Sequence, residues 1–153
     1  MKILIFGSSG LVGSSLVKNL PKIITNSEII PSTREDTNLF SASETLKKVK
    51  STNPDIVVNA AAKVGGIQAN NTERTDFILD NLKININILE SLIPFKNVKV
   101  INLGSSCIYP LGASVPISEE SLLTGKLEPT NSPYAMAKLT SIEIGDAITK
   151  QFG

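Results

Sequence analysis

"KILIF", residues 2–6, is a run of branched and aromatic side chains that stops at a glycine. A short run with both faces apolar predicts a strand buried on both sides of a sheet. In "LVGSSLVKNL" (11–20) the period changes: Leu11, Leu16, Val17 and Leu20 share roughly one side of a helix, and Pro21 is expected to end it. "EII" (28–30) predicts a short second strand. "SASE" (41–44) has the S-x-x-E form of a capping box and predicts a helix from there to about Ser51, closed by "NPD". "DIVVNA" (55–60) predicts a third strand. A longer helix is expected over about 72–92, with Phe77, Ile78, Leu82, Leu89 and Leu92 on its core face. "VKVINL" (98–103) predicts a fourth, buried strand. Residues 108–131 carry Pro110, Gly112, Pro116, Gly125 and Pro129 and read as a long loop. Ser132 as N-cap and Pro133 at the first helical position open a last helix.

Strands alternating with helices imply right-handed crossovers and a doubly wound parallel sheet, an α/β fold of the Rossmann-like, dinucleotide-binding kind. There is no internal repeat and no low-complexity tract. Such a domain normally continues with a further strand, so residues 1–153 are expected to be the front part of a larger unit whose later strands lie outside the chain.

Composition narrows the chemistry by exclusion. The net charge is +1, which gives no basic surface for nucleic acid. One cysteine excludes an internal disulfide and a cysteine-built metal site. There is no histidine, which removes the commonest general base and every histidine-based triad. No stretch reaches membrane-spanning length, and the apolar start is too short for a signal peptide, so a cytoplasmic protein is expected.

"GSSGLVG" sets Gly7, Gly10 and Gly13 directly after the first strand and at the mouth of a helix. Gly7 suits a tight turn, Gly10 close approach to a pyrophosphate, and Gly13 close packing of helix on strand. The phosphates would then meet free N–H groups, those of Leu11 and Val12 included, at the positive end of the helix dipole. Some 20 residues on, an acidic side chain would favour NAD and an arginine NADP. After "EII" comes "PSTRED", whose first charge is Arg34, so the cofactor expected is NADP(H).

"YAMAK" puts Tyr134 and Lys138 four residues apart, hence on one helix face. A nearby ammonium is expected to lower the phenol's pKa, and the tyrosine could then exchange a proton with a substrate oxygen. A serine hydroxyl at the end of strand four, in "GSSCIYP" (104–110), could orient the same oxygen.

The glycine loop, the strand-four serines and Tyr-x-x-x-Lys together resemble the extended short-chain dehydrogenase/reductases. Within that family "NAAAKVGGIQANNT" (59–72), "GSSCIYP" and "LEPTNSPYAMAK" (127–138) are similar to the branch of GDP-sugar epimerase-reductases, and the likeness runs over essentially all 153 residues. The resemblance implies NADPH as cofactor and a GDP-linked 4-keto-6-deoxy-mannose as substrate, epimerised at C3 and C5 and reduced at C4. It implies a reductase triad of Ser105, Tyr134 and Lys138: Tyr134 gives a proton to the C4 oxygen, Lys138 tunes it and holds the nicotinamide ribose, and Ser105 bonds the ketone. Cys107 falls on the family's epimerisation base; its histidine partner would lie beyond Gly153. Asn81 would stand near the lysine, and Ala60, Ala61, Ala62, Lys63, Leu103 and Gly104 would border the cofactor. A homodimer through the helix after strand three and the Tyr-x-x-x-Lys helix is implied, with Ile84, Ile88, Ile142 and Ile144 as apolar positions beyond one buried stripe. Two other readings stay open: a related nucleotide-sugar epimerase or dehydratase, and an NADP-binding module without catalysis.

Overall fold

A computed structural model describes residues 1–153. Four strands, β1 (Lys2–Phe6), β2 (Glu28–Ser32), β3 (Ile56–Asn59) and β4 (Lys99–Asn102), form one parallel sheet in the order β2-β1-β3-β4. The chain leaves β1 toward one edge, then crosses back to build the other, so the order reverses between β1 and β3. Ligands of doubly wound sheets bind at such a reversal, outside the carboxyl ends of the strands.

The alternation within β1 assigns the layers. Ile3 and Ile5 point to one face with Val58, where Leu16, Val17 and Leu20 of α1 (Leu11–Ile23) cover them. Leu4 and Phe6 point to the other with Val57, against Val49 of α2 (Ala42–Thr52) and Ile84, Ile88 and Leu92 of α4 (Arg74–Leu92). α5 (Ser132–Phe152) packs beside α4. No helix is long and apolar enough to cross a membrane.

Several boundaries differ from the expectation. α1 runs through Pro21, because the ring falls in the last turn and removes a single helical hydrogen bond. Leu11, the first residue of α1, is exposed rather than part of the core stripe. β2 extends to Ser32 through Pro31, tolerated because β2 is an edge strand. β4 is the other edge, and its Ile101 is 44% exposed, so this strand is not buried. The capping box forms by halves: Ser41 accepts from the Glu44 N–H, but the Glu44 carboxylate turns to the Asn38 N–H. At the far end Asn53 takes the left-handed conformation (φ 44°) that stops α2.

The long helix expected over 72–92 is two: α3 (Ile67–Thr72) and α4, broken at Glu73. Ile78 and Leu82 are only partly buried, while Ile84 and Ile88, expected to lie outside the core stripe, are buried in the core. They are therefore not free for a dimer face; Ile142 is exposed and Ile144 half-buried. α5 starts at Ser132 with Asn131 as N-cap, one residue earlier than expected, so Pro133 is its second residue.

Candidate active site

The glycine loop is a backbone-to-backbone contact. Gly7 has φ +74°, and a Cβ there would meet Ala61 N at 2.6 Å and Ala60 C at 2.7 Å. A Cβ on Gly13 would lie 2.1 Å from Gly7 O. Only bare backbone lets the β1 turn, the end of β3 and the start of α1 come this close. Gly10 caps α1 with no side-chain hydrogen bond, and the first turn carries no acidic residue. The early N–H groups of α1, those of Leu11, Val12 and Gly13, have no intrahelical acceptor by helix geometry. The Ser8 hydroxyl is buried without a partner beside them. These unmatched donors at a positive helix end fit an anionic ligand such as a pyrophosphate.

A cleft of about 440 Å³ opens from this loop. Gly7, Gly10, Arg34 and Ala60–Lys63, all expected from the sequence, line it; so do Ser9, Thr33, Thr37, Phe40 and Asp80, which the sequence reading missed. The missed ones come mostly from the loop after β2, and no motif marks them; only the returning crossover brings them over the glycines. Leu11, Val12 and Gly13 do not line the cleft; they form the first turn of α1, directly after Gly10, which does. Leu103 and Gly104, just after β4, and Lys138 of α5 lie outside it.

In the β2 loop the carboxylate of Asp36 is committed locally. It accepts from the Thr33 N–H and hydroxyl, both at 2.8 Å, and these bonds, the backbone one foremost, hold its pKa below the ordinary value. Neither Glu35 nor Asp36 lines the cleft, whereas Arg34 does, its guanidinium 5.8 Å over the Phe40 ring. The charge offered to the cleft from this loop is thus the cation.

Across the cleft, Asn81 holds the Lys63 peptide at both ends, accepting its N–H and donating to its carbonyl, each at 3.0 Å. The Lys63 ammonium turns away to Glu73 (3.0 Å), Asp76 (3.4 Å) and Asp80 (3.9 Å), and lies 5.3 Å over the Phe77 ring. The Glu73 contact chiefly raises its pKa. A run of buried amides ties this wall to β4 and α5. Asn59 donates to Asn85 (3.0 Å) and Asn102 (2.8 Å) and accepts from the Ala61 N–H. Asn102 donates to Ser141 Oγ, which donates to the Lys138 carbonyl. Each of these groups would be costly to bury alone, by about 1–3 kcal/mol, so the network fixes one arrangement of the site's walls.

At the end of β4 a single 3-10 turn over Ser106–Ile108 folds Cys107 back, its Sγ donating to Ser105 Oγ at 3.1 Å. Tyr134 and Lys138 face this turn from α5. Lys138 is buried, and its ammonium donates to the Leu103 carbonyl at 2.7 Å and lies 5.9 Å from the Tyr134 ring. Burial lowers the Lys138 pKa, partly offset by Cys107. Burial also pushes the Tyr134 phenol up, with Cys107 adding to the effect and a hydrogen bond with Ser105 opposing it. This reverses the expected direction, because burial is the largest influence on the phenol and outweighs the hydrogen bond that lowers it. Tyr134 rests as a protonated phenol, able to give a proton. Ser106 is exposed, and only its carbonyl, accepting from Tyr109, serves the turn.

A family model described as "NAD dependent epimerase/dehydratase family" matches residues 3–153. The chain belongs to that family. It is 43% identical over 152 residues to a GDP-L-fucose synthase of Sinorhizobium fredii, covering 99% of this chain and 48% of the relative. It is 41% identical over 152 residues to a GDP-L-fucose synthase of Escherichia coli, covering 99% and 47%. Among solved structures, a GDP-L-fucose synthetase from Naegleria fowleri bound to NADP superposes with a TM-score of 0.87 at 30% identity, covering 98% of this chain and 48% of the other. The chain spans about half the length of the curated relatives it matches.

Proposed function

We propose that residues 1–153 form the dinucleotide-binding domain of a GDP-sugar epimerase-reductase that converts GDP-4-keto-6-deoxy-mannose to GDP-L-fucose. The observation that supports it best is the Cys107 thiol 3.1 Å from Ser105, beside Tyr134 and Lys138. Ketone reduction needs only the hydroxyls. A thiol at the same place suits removal of a proton from carbon α to the ketone, which the carbonyl acidifies. When bound, NADPH would supply the hydride taken up at C4. Tyr134 would give its proton to the C4 oxygen while Ser105 holds that oxygen by hydrogen bond. Lys138 would hold the nicotinamide ribose from its post on the Leu103 carbonyl.

The names of the relatives and the NADP-bound neighbour support the same substrate and cofactor. Arg34, the cation at the cleft, would take the 2′-phosphate. The reading extends to a cytoplasmic enzyme and to a homodimer through the exposed Leu79, Ile86 and Ile142 on α4 and α5.

Mixing the protein with NADPH and GDP-4-keto-6-deoxy-mannose should lower the reduced-nicotinamide absorbance; no oxidation by the full-length protein would sink the reading. Cys107→Ser should lose solvent-proton exchange at C3 and C5 far more than ketone reduction, and an equal loss of both would remove the base role. Arg34→Ala should weaken NADPH on the order of 10- to 100-fold, the size of one or two lost charge-assisted hydrogen bonds, and leave NADH unchanged. Fluorescence titration of both nucleotides checks this, and equal weakening of the two would leave Arg34 without a role in selectivity.

A further inference from the structure

α5 carries Tyr134 in its first turn, yet that helix is not started by its own cap. Asn131, the N-cap, makes no side-chain capping bond, and its Oδ1 is buried without a partner. Two groups from elsewhere hold the launching turn instead. The Glu128 carboxylate takes its donors: the Thr130 N–H and hydroxyl and the Asn131 N–H. The Arg74 guanidinium takes its acceptors: Nη1 donates to the Pro129 carbonyl at 2.9 Å and the Thr130 carbonyl at 3.4 Å, and Nη2 donates to Ser132 Oγ at 3.2 Å. Arg74 is the first residue of α4. One turn further along the same helix, the Phe77 ring meets the Tyr134 ring edge-on, 6.5 Å between centroids at 81°. Arg74 and Phe77 therefore grip both the start of α5 and the ring it presents.

We propose that Arg74 is a positioning residue for Tyr134: its forked guanidinium fixes the Pro129–Ser132 turn, and through it the place of the phenol beside Ser105. The fork is what matters. A guanidinium reaches a carbonyl and a hydroxyl with separate nitrogens in one plane, and an ammonium cannot hold both in that geometry. Glu128 supplies the countercharge, its carboxyl kept below the ordinary range mainly by the Thr130 hydroxyl and backbone, with Arg74 adding to it. The titratable groups that face the phenol, Cys107 on the 3-10 turn and Lys138 on α5, are not touched by a change at Arg74.

The inference rests on the reading of Tyr134 as proton donor, but its readout needs neither cofactor nor substrate; a parent protein that fails to turn over GDP-sugar counts against that reading alone. The chain has two tyrosines. In a Tyr109→Phe background the alkaline rise in tyrosinate absorbance reports Tyr134 only. Its burial holds that titration above the ordinary tyrosine range in the parent. Arg74→Ala should move it back toward the ordinary range, as the loosened turn lets water reach the phenol. Arg74→Lys should show a smaller move in the same direction, and Lys18→Ala on the exposed side of α1 none. A lower urea midpoint with an unmoved Tyr134 titration in Arg74→Ala would reduce Arg74 to a merely structural contact and overturn the proposal. If Arg74→Ala loses its helical circular dichroism, Arg74→Lys decides: a titration equal to the parent's overturns the positioning role.

Discussion

Gly13→Ala is expected to cost the protein its nucleotide cleft together with a large part of its stability. In an ordinary helix interior the change would be favourable by up to about 1 kcal/mol, because alanine is the better helix former. Here the added Cβ would stand 2.1 Å from Gly7 O and 2.8 Å from both Gly7 C and Ser8 Cα. All three are backbone atoms, so no rotamer change relieves the clash. α1 would have to lift off the turn, and its Leu16, Val17 and Leu20 would then lose contact with Ile3, Ile5 and Val58. Overpacking of a tight core costs roughly 1–3 kcal/mol, and a clash between backbones belongs at or above the top of that range. Lifting the helix also carries its first-turn N–H groups away from the phosphate position. A urea melt should show the lost stability and fluorescence titration a near-complete loss of NADPH binding. Gly66→Ala, where a Cβ meets nothing within 4 Å, should change both little. Wild-type behaviour of Gly13→Ala would mean that the close approach of helix to turn is not needed.

Tyr134→Phe is expected to reduce ketone reduction by roughly 10²–10⁴-fold, the usual contribution of a positioned acid or base, while NADPH binding stays within a few-fold of the parent. The separation follows from geometry. The phenol faces Ser105 and Cys107 at the end of β4, and Tyr134 is not among the residues that line the nucleotide cleft. The pH profile supplies a second mark. Burial raises the phenol's pKa, so Tyr134 stays protonated through neutral pH and the donor form is lost only as pH climbs past the raised value. Reduction should therefore hold level across neutral pH and fall on the alkaline side, and this alkaline limb should vanish in Tyr134→Phe. A limb that survives the substitution would belong to another group and would remove Tyr134 from the proton donor's role.

Most of the fold was legible because its signals are local. "KILIF" can be nothing but a short strand with two apolar faces, and the change of period at Leu11 announces the helix. The glycine spacing and Tyr-x-x-x-Lys are equally local, since each is a requirement of one turn or one helix face. The misreadings differ in cause. α1 survives Pro21 because the ring falls in its last turn, whereas the burial of Ile84 and Ile88 depends on what the segment packs against, which a single stretch of chain does not record. The same holds for the β2 loop: "TRED" displays three charges in a row, and only the folded turn spends Asp36 on Thr33 and leaves Arg34 at the cleft.

The sequence by itself determined the doubly wound order of elements, the glycine turn after β1 and the Tyr134–Lys138 pair on one helix face, because each follows from residue type and spacing along the chain, while Ser105 and Cys107 entered the expected site through the family resemblance. Tertiary structure alone decided how those groups stand to one another. It set Lys138 on the Leu103 carbonyl and half-buried the Tyr134 phenol, and that burial, with Cys107 adding to it, raises the phenol's pKa. It joined Asn59, Asn85 and Asn102 into one buried network and brought Arg74 across to the start of α5. Those contacts link residues 26 to 58 positions apart. Hydrogen bonds act over about 3 Å, so their partners are chosen by which elements the fold packs together.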